Sequence, residues 1–303
     1  MKIGIIGLGW VGTSVAMSTL HSGLVTELLL HDIHGELAEG EAMDFSHGAP
    51  FYPSAQVRAV ELEAMKSADA VVIAAGRGGR PEESRLDLVR DNARIVRGIA
   101  ENFRGFRGIL VVVTNPVDVL TLTALEASGL SPARVIGTGT MLDTARLRHA
   151  IGNRLNLDPR AIHAQVVGEH GDSEVVLWTG ARIGGVTLQG WPGWDRAGEA
   201  TLAESVRKSA YEVIRRKGAT NHAIGLVTAH LLKWMLRGEH RVLTVTRLQE
   251  GACGLRDVGL SLPTVVGREG AGLVVEPEMS PEERERLHRS AEILRGVLAS
   301  LRG

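Results

Sequence analysis

A glycine-rich turn near the N-terminus constrains this chain more than any other feature. Gly7-Leu8-Gly9-Trp10-Val11-Gly12 follows a short apolar strand at 3–6 and opens a helix-spaced run at 11–20. In that context each glycine has a separate task. Gly7 makes the tight turn, Gly9 lets the backbone approach a pyrophosphate, and Gly12 lets the helix pack on the strand. The helix N-terminus then favours phosphate charge. A second strand at 28–30 ends at His31-Asp32, which puts Asp32 twenty positions after Gly12. A carboxylate there accepts hydrogen bonds from the adenosine ribose hydroxyls and repels a 2′-phosphate, so NAD is favoured over NADP. The competing reading is a glycine-rich turn in another sheet protein, with Asp32 as a helix cap.

The alternation continues downstream. Helical spacing covers 35–45, strands are expected at 57–60 and 70–74, and a charged amphipathic helix at 86–103. The apolar run 109–113 suits a strand covered on both faces. A helix at 116–127 carries Pro116 at a permitted early position, and Val135-Ile136 begins one more strand. This order predicts an α/β fold with a doubly wound parallel sheet, a Rossmann dinucleotide-binding domain at 1–140. The pattern then changes, and 141–303 reads as an α+β substrate domain. It comprises a helix at 142–155, a strand at 161–167, a Gly/Trp/Pro loop at 190–198, and helices at 201–217 and 221–237. Short strands from 241 to 262 follow, and then a closing helix whose start, Ser280-Pro281-Glu282-Glu283, has the form of a capping box.

Composition excludes several classes. The formal net charge is −1, which favours neither nucleic acid nor an anionic membrane. Hydrophobic residues make up 44% of 303, enough for a full core, yet no apolar run reaches the ~18 residues of a membrane span. The segment 1–17 holds four glycines and lacks a cleavage pattern, so it reads as strand, turn and helix, not as a signal peptide. The single cysteine, Cys253, suits a reducing cytoplasm and is expected to be buried and inert.

The chemistry is carried by two further strings, Asp143-Thr144-Ala145-Arg146 and Gly168-Glu169-His170-Gly171-Asp172. Reducing a ketone requires a proton donor, a rigid grip on the substrate and stabilisation of charge developing on oxygen. His170 titrates near neutrality and is the natural acid/base. Asp143 can fix its tautomer. Arg146, three residues on along the same helix face, can grip a carboxylate bidentately. Arg85 ends a glycine-hinged segment beginning at Gly76 and suits a lid that closes over substrate. Taken singly, each of these residues has a plain structural role as loop, cap or surface charge; their joint occurrence after a dinucleotide motif is what points to chemistry. No metal-ligating set is read.

These strings, with Arg85-Leu86-Asp87-Leu88, Thr114-Asn115-Pro116-Val117-Asp118 and 137–146, resemble the lactate/malate dehydrogenase family over almost the whole chain. The resemblance implies an NAD-dependent oxidoreductase of L-2-hydroxy acids. It implies His170 as proton donor and acceptor, Asp143 as its orienting partner, Arg146 as the carboxylate grip and Arg85 as the carbonyl-polarising arginine. It further implies Asn115 near substrate and nicotinamide, Thr220 in the substrate pocket, and a homotetramer or homodimer, the tetramer preferred.

The lid departs from that family. The specificity position falls at Gly79, where lactate dehydrogenases of the family carry Gln and malate dehydrogenases Arg. A glycine leaves room and supplies no fixed charge for a second carboxylate, which predicts lactate or a bulkier 2-hydroxy acid. Malate is the alternative, because the neighbouring Arg80 or Arg77 could swing inward, and a non-catalytic NAD-binding protein is a third reading. Arg148 and His163 match positions that bind fructose 1,6-bisphosphate in allosteric members of the family, so an effector site between subunits is also expected.

Overall fold

A computed structural model describes residues 1–79 and 85–302, with backbone only at 85 and 302. The chain begins with β1 (Lys2–Ile6), α1 (Trp10–His21), β2 (Glu27–His31), α2 (Gly35–His47), β3 (Gln56–Ala59) and β4 (Ala70–Ile73). It continues through α3 (Arg85–Glu101), β5 (Ile109–Val112), α4 (Val117–Ser128) and β6 (Val135–Gly137). These six strands pair in parallel in the order β6-β5-β4-β1-β2-β3. The sequence β3-β2-β1 reverses to β4-β5-β6 about β1, which leaves a crevice at the carboxyl ends of the strands where the glycine-rich turn stands. Strands buried on both faces explain the continuous apolar runs: every residue of β4 and β5 is buried.

The second half contains α5 (Met141–Leu155), β7 (Ile162–Val167), β8 (Val175–Ile183), β9 (Val186–Thr187), α6 (Glu199–Lys217) and α7 (His222–Arg237). It ends with β10 (Arg241–Glu250), β11 (Arg256–Gly267), β12 (Gly270–Val274) and α8 (Pro281–Arg302). Strands β7, β8 and β9 form a small antiparallel sheet. The sequence expectation of short strands at 241–262 needs correction. Strands β10 and β11 span 10 and 12 residues and pair antiparallel along nearly their whole length. They also extend the dinucleotide sheet, because β10 pairs with β6 through Thr246 and Gly137. The tight turn at 251–254 and the glycine and proline inside β11 make one long hairpin look like several short strands. Strand β8 had no clear alternation and was not foreseen.

The junction of the halves is closely packed. A Cβ on Gly139 would stand 2.1 Å from the Ser261 hydroxyl, so only glycine lets the chain turn there from β6 into α5. The final helix starts as expected. Ser280 Oγ accepts from Glu283 N at 3.2 Å, and the Glu283 carboxylate accepts from Ser280 N at 2.8 Å. The same carboxylate accepts from Trp178 N and Thr179 N, which ties α8 to β8. Cys253 is buried, and burial pushes its thiol pKa up. Among the described residues no helix is long and apolar enough to cross a membrane.

Candidate active site

The dinucleotide turn is built as its three glycines require. Gly7 has φ +91°, and a Cβ on it would lie 2.4 Å from the Ala75 backbone. A Cβ on Gly12 would lie 1.8 Å from the Gly7 carbonyl oxygen. Gly9, at the start of α1, has no atom within 4 Å of where its Cβ would be. The two outer glycines are therefore needed for packing, while the middle one faces open space that a pyrophosphate fits. Asp32 Oδ2 accepts from Leu8 N at 2.8 Å and Oδ1 from His34 N at 3.0 Å. The carboxylate is thus pinned to the turn at the crevice edge, placed to meet a ribose. This cradle fits NAD.

Three of the candidates, Asp143, Arg146 and His170, converge on one cavity between the two halves. Its wall includes Leu88, Asn115, Asp143, Arg146, His170, Glu174 and Arg207. Asp143 sits in the first turn of α5 with its side chain 3% exposed. One of its oxygens is 2.5 Å from His170 Nδ1, and the other accepts from Arg146 NH1 at 2.8 Å. Helical spacing places Asp143 and Arg146 on one face, and the loop after β7 brings His170 onto it. With Nδ1 engaged, Nε2 is the ring nitrogen available to the cavity.

Electrostatics follow from this packing. Burial alone would push the His170 pKa down. The charge and hydrogen bond of Asp143, with a contribution from Asp118, outweigh it and raise the value from 6.5 to about 9. Burial likewise works against ionisation of Asp143, but His170 and Arg146 hold its carboxyl below the usual range. This packing favours the imidazolium form of His170 at neutral pH.

Several supporting residues had no predicted role. Asp118, fully buried in α4, accepts from His170 N at 2.7 Å and from the Thr246 hydroxyl. Burial raises its pKa to about 7 against those hydrogen bonds. Asn92 accepts from Arg77 N at 2.9 Å and donates to Asn115 O at 3.0 Å, which joins the segment after β4 to the loop after β5. Tyr211 donates to Asp172 Oδ1 at 2.9 Å, linking α6 to the His170 loop. Only the Asn-Pro-Val-Asp string hinted at Asp118; the other contacts join distant segments and leave no local pattern.

The remaining expectations divide. Asn115 lines the cavity. A Cβ on Gly79 would meet Leu88 Cδ2 at 3.3 Å, so Gly79 stands over a cavity residue and adds no side chain there. Arg77, one of the two arginines expected to swing inward, is held by Asp91 at 2.6 Å. Thr220 does not line the cavity; it sits in the turn between α6 and α7, where Gly218 faces Trp10 and Asn221 donates to Ser14. Arg80 and the Arg85 side chain lie outside the described residues. Arg148 donates from Nε to Ala164 O at 3.0 Å, beside exposed His163 on β7. Among the described residues no group of three His, Cys, Asp or Glu could hold a metal.

Two family models match consecutive parts of the chain. The lactate/malate dehydrogenase NAD-binding domain covers residues 1–137, and the α/β C-terminal domain of the same family covers 140–301. The chain belongs to the lactate/malate dehydrogenase family. It is accordingly an NAD-dependent oxidoreductase acting on a 2-hydroxy acid. A relative named L-lactate dehydrogenase from Synechococcus sp. (strain JA-3-3Ab) is 45% identical over 305 residues, covering 100% of both chains. Another so named, from Kosmotoga olearia, is 40% identical and covers 99% of this chain and 96% of its own. The crystal structure of a minor L-lactate dehydrogenase from Enterococcus mundtii in a ligands-bound form superposes with TM-score 0.96. That chain is 37% identical, and the match covers 99% of this chain and 98% of the other.

Proposed function

We propose that this chain is an L-lactate dehydrogenase or a close relative that accepts bulkier 2-oxo acids. The carrying observation is the bonded chain His170–Asp143–Arg146 on the wall of one cavity, in a chain that also carries the dinucleotide turn. The glycine-rich turn and Asp32 hold NAD, which when bound supplies or accepts the hydride. Arg146 grips the substrate carboxylate in a bidentate pair. His170 donates its proton from Nε2 to the carbonyl oxygen, and Asp143 keeps the ring oriented and charged until it does. Asp118 fixes the backbone of His170. Arg85, on the closing lid, supplies positive charge at the carbonyl, and Leu88 and Val89 exclude water. In the reverse direction neutral His170 takes the proton from the hydroxyl.

Gly79 favours pyruvate or a branched or aromatic analogue over oxaloacetate, because a second carboxylate needs a buried cation. The Asp91 pair on Arg77 supports this reading against malate. The enzyme works in the cytoplasm as a homo-oligomer, with a tetramer favoured, and Arg148 with His163 from two subunits offers a cluster for fructose 1,6-bisphosphate. NADH oxidation with pyruvate, branched and aromatic 2-oxo acids, and oxaloacetate tests the assignment. A ten-fold or greater preference for oxaloacetate over every monocarboxylate overturns it in favour of malate dehydrogenase, and no turnover with any of them leaves a non-catalytic NAD-binding protein.

A further inference from the structure

Glu174, at the end of the His170 loop, is a carboxyl the mechanism above does not use. It is 6% exposed, and its Oε1 is buried with no hydrogen-bond partner among the described residues. It lines the catalytic cavity together with Asp143, Arg146 and His170. It also lines a second cavity on its outer side, with Arg207, Arg286 and Arg289. None of these guanidiniums is given to it. Arg207 pairs with Glu204, and its own Nε is buried without a partner. Arg289 pairs with Glu285 at 3.5 Å, and Arg286 lies in the field of Glu282. Nearby Glu169 is engaged by Ser173, Asp172 by Tyr211, and Asp118 by Thr246 and the His170 amide.

A buried carboxyl with an unfilled oxygen is costly as an anion. Here burial and the charge of Asp143 raise its pKa to about 8, while His170, Arg207 and Arg146 pull the other way. Glu174 is therefore held neutral into the range where His170 itself titrates, and each ionisation is felt by the other group.

We propose that Glu174 is a positioning residue for the proton on His170: neutral while the 2-oxo acid is being reduced, it adds a second negative charge beside Asp143 once it ionises and so tightens the hold of the imidazolium on its proton. This rests on the reading of His170 as the acid/base. As pH rises and Glu174 charges, His170 stays protonated to higher pH than Asp143 and Asp118 alone would keep it. Reduction persists further into the alkaline range, and lactate oxidation, which needs neutral imidazole, starts later.

The test is the pH dependence of the pyruvate KM in wild type and in Glu174→Gln, each normalised to its own plateau at low pH. Glutamine keeps the shape and cannot ionise. Its alkaline limb is expected about half a pH unit or more below that of the wild type, because two charges on the wall of one cavity interact by at least that much at an effective dielectric of ~20. A limb that does not move, or moves up, overturns the proposal. NMR titration of the His170 ring in the wild type provides a second reading. An inflection transmitted from Glu174 near pH 8, beyond the one that Asp118 transmits near 7, should precede the ring's own titration, and its absence refutes the coupling even if the variant does not fold. Failure of wild-type protein to oxidise NADH with any 2-oxo acid would instead refute the activity, and the ring titration would still decide Glu174.

Discussion

Replacing Asp143 by Asn separates the two tasks of that carboxylate. In the wild type its charge and hydrogen bond raise the His170 pKa from 6.5 to about 9 on a side chain that is 23% exposed. A shift of about 2.5 units corresponds to about 3 kcal/mol in favour of the imidazolium. Without the carboxylate, burial, the largest influence, and the charge of Arg146 push the value down against Asp118 alone, so it should fall to about 6.5, the ordinary imidazole value, or lower. At pH 7.5 the protonated fraction then falls from nearly all to about a tenth or less. Pyruvate requires the protonated ring, so its KM should rise at least about ten-fold at that pH and recover as the assay is taken down to pH 5.5. Arg146 also loses its 2.8 Å anchor, which adds a rise in KM that acid does not reverse. A fall in kcat that persists in acid reports the wrong tautomer, since an Asn amide can donate to Nδ1. NADH binding, measured by fluorescence, should hardly change. An Asp143→Asn enzyme that keeps the alkaline limb of the wild type near pH 9 would refute the argument.

Other substitutions test other parts of the site. Gly79→Arg should raise oxaloacetate turnover relative to pyruvate, measured as the ratio of kcat/KM, by supplying the missing cation; an unchanged ratio would show that Gly79 does not face the substrate side chain. Gly12→Ala places a methyl 1.8 Å from the Gly7 carbonyl oxygen, so NADH affinity should collapse with partial loss of thermal stability; tight NADH binding in that variant would contradict the close approach. Asp32→Ser should shift preference toward NADPH, and a wild type that already prefers NADPH would contradict the role given to Asp32. Arg148→Gln should abolish any drop in pyruvate KM caused by fructose 1,6-bisphosphate while sparing turnover at saturating pyruvate. If sedimentation and kinetics of the wild type ignore millimolar effector, Arg148 and His163 are interface residues without a regulatory task.

The residues that could be read from the chain alone are those whose function depends on local geometry. Gly7, Gly9 and Gly12 sit in one turn, and Asp143 and Arg146 one helical turn apart. Ser280 and Glu283 cap the helix they begin. Short-range spacing dictates each of these, so sequence declares them, and the parallel strands announce themselves as apolar runs because both faces are covered. Tertiary structure decided what depends on meetings between distant segments. Asp118 meets His170 and Thr246 across 52 and 128 positions, and β10 joins β6 through a single pairing that no local pattern encodes. The protonation of the site is of the same kind. The raised pKa values of His170 and Glu174 are set by burial and by neighbours brought from α4, α5 and α6, and burial is a property of the packed chain that no local spacing in the sequence expresses.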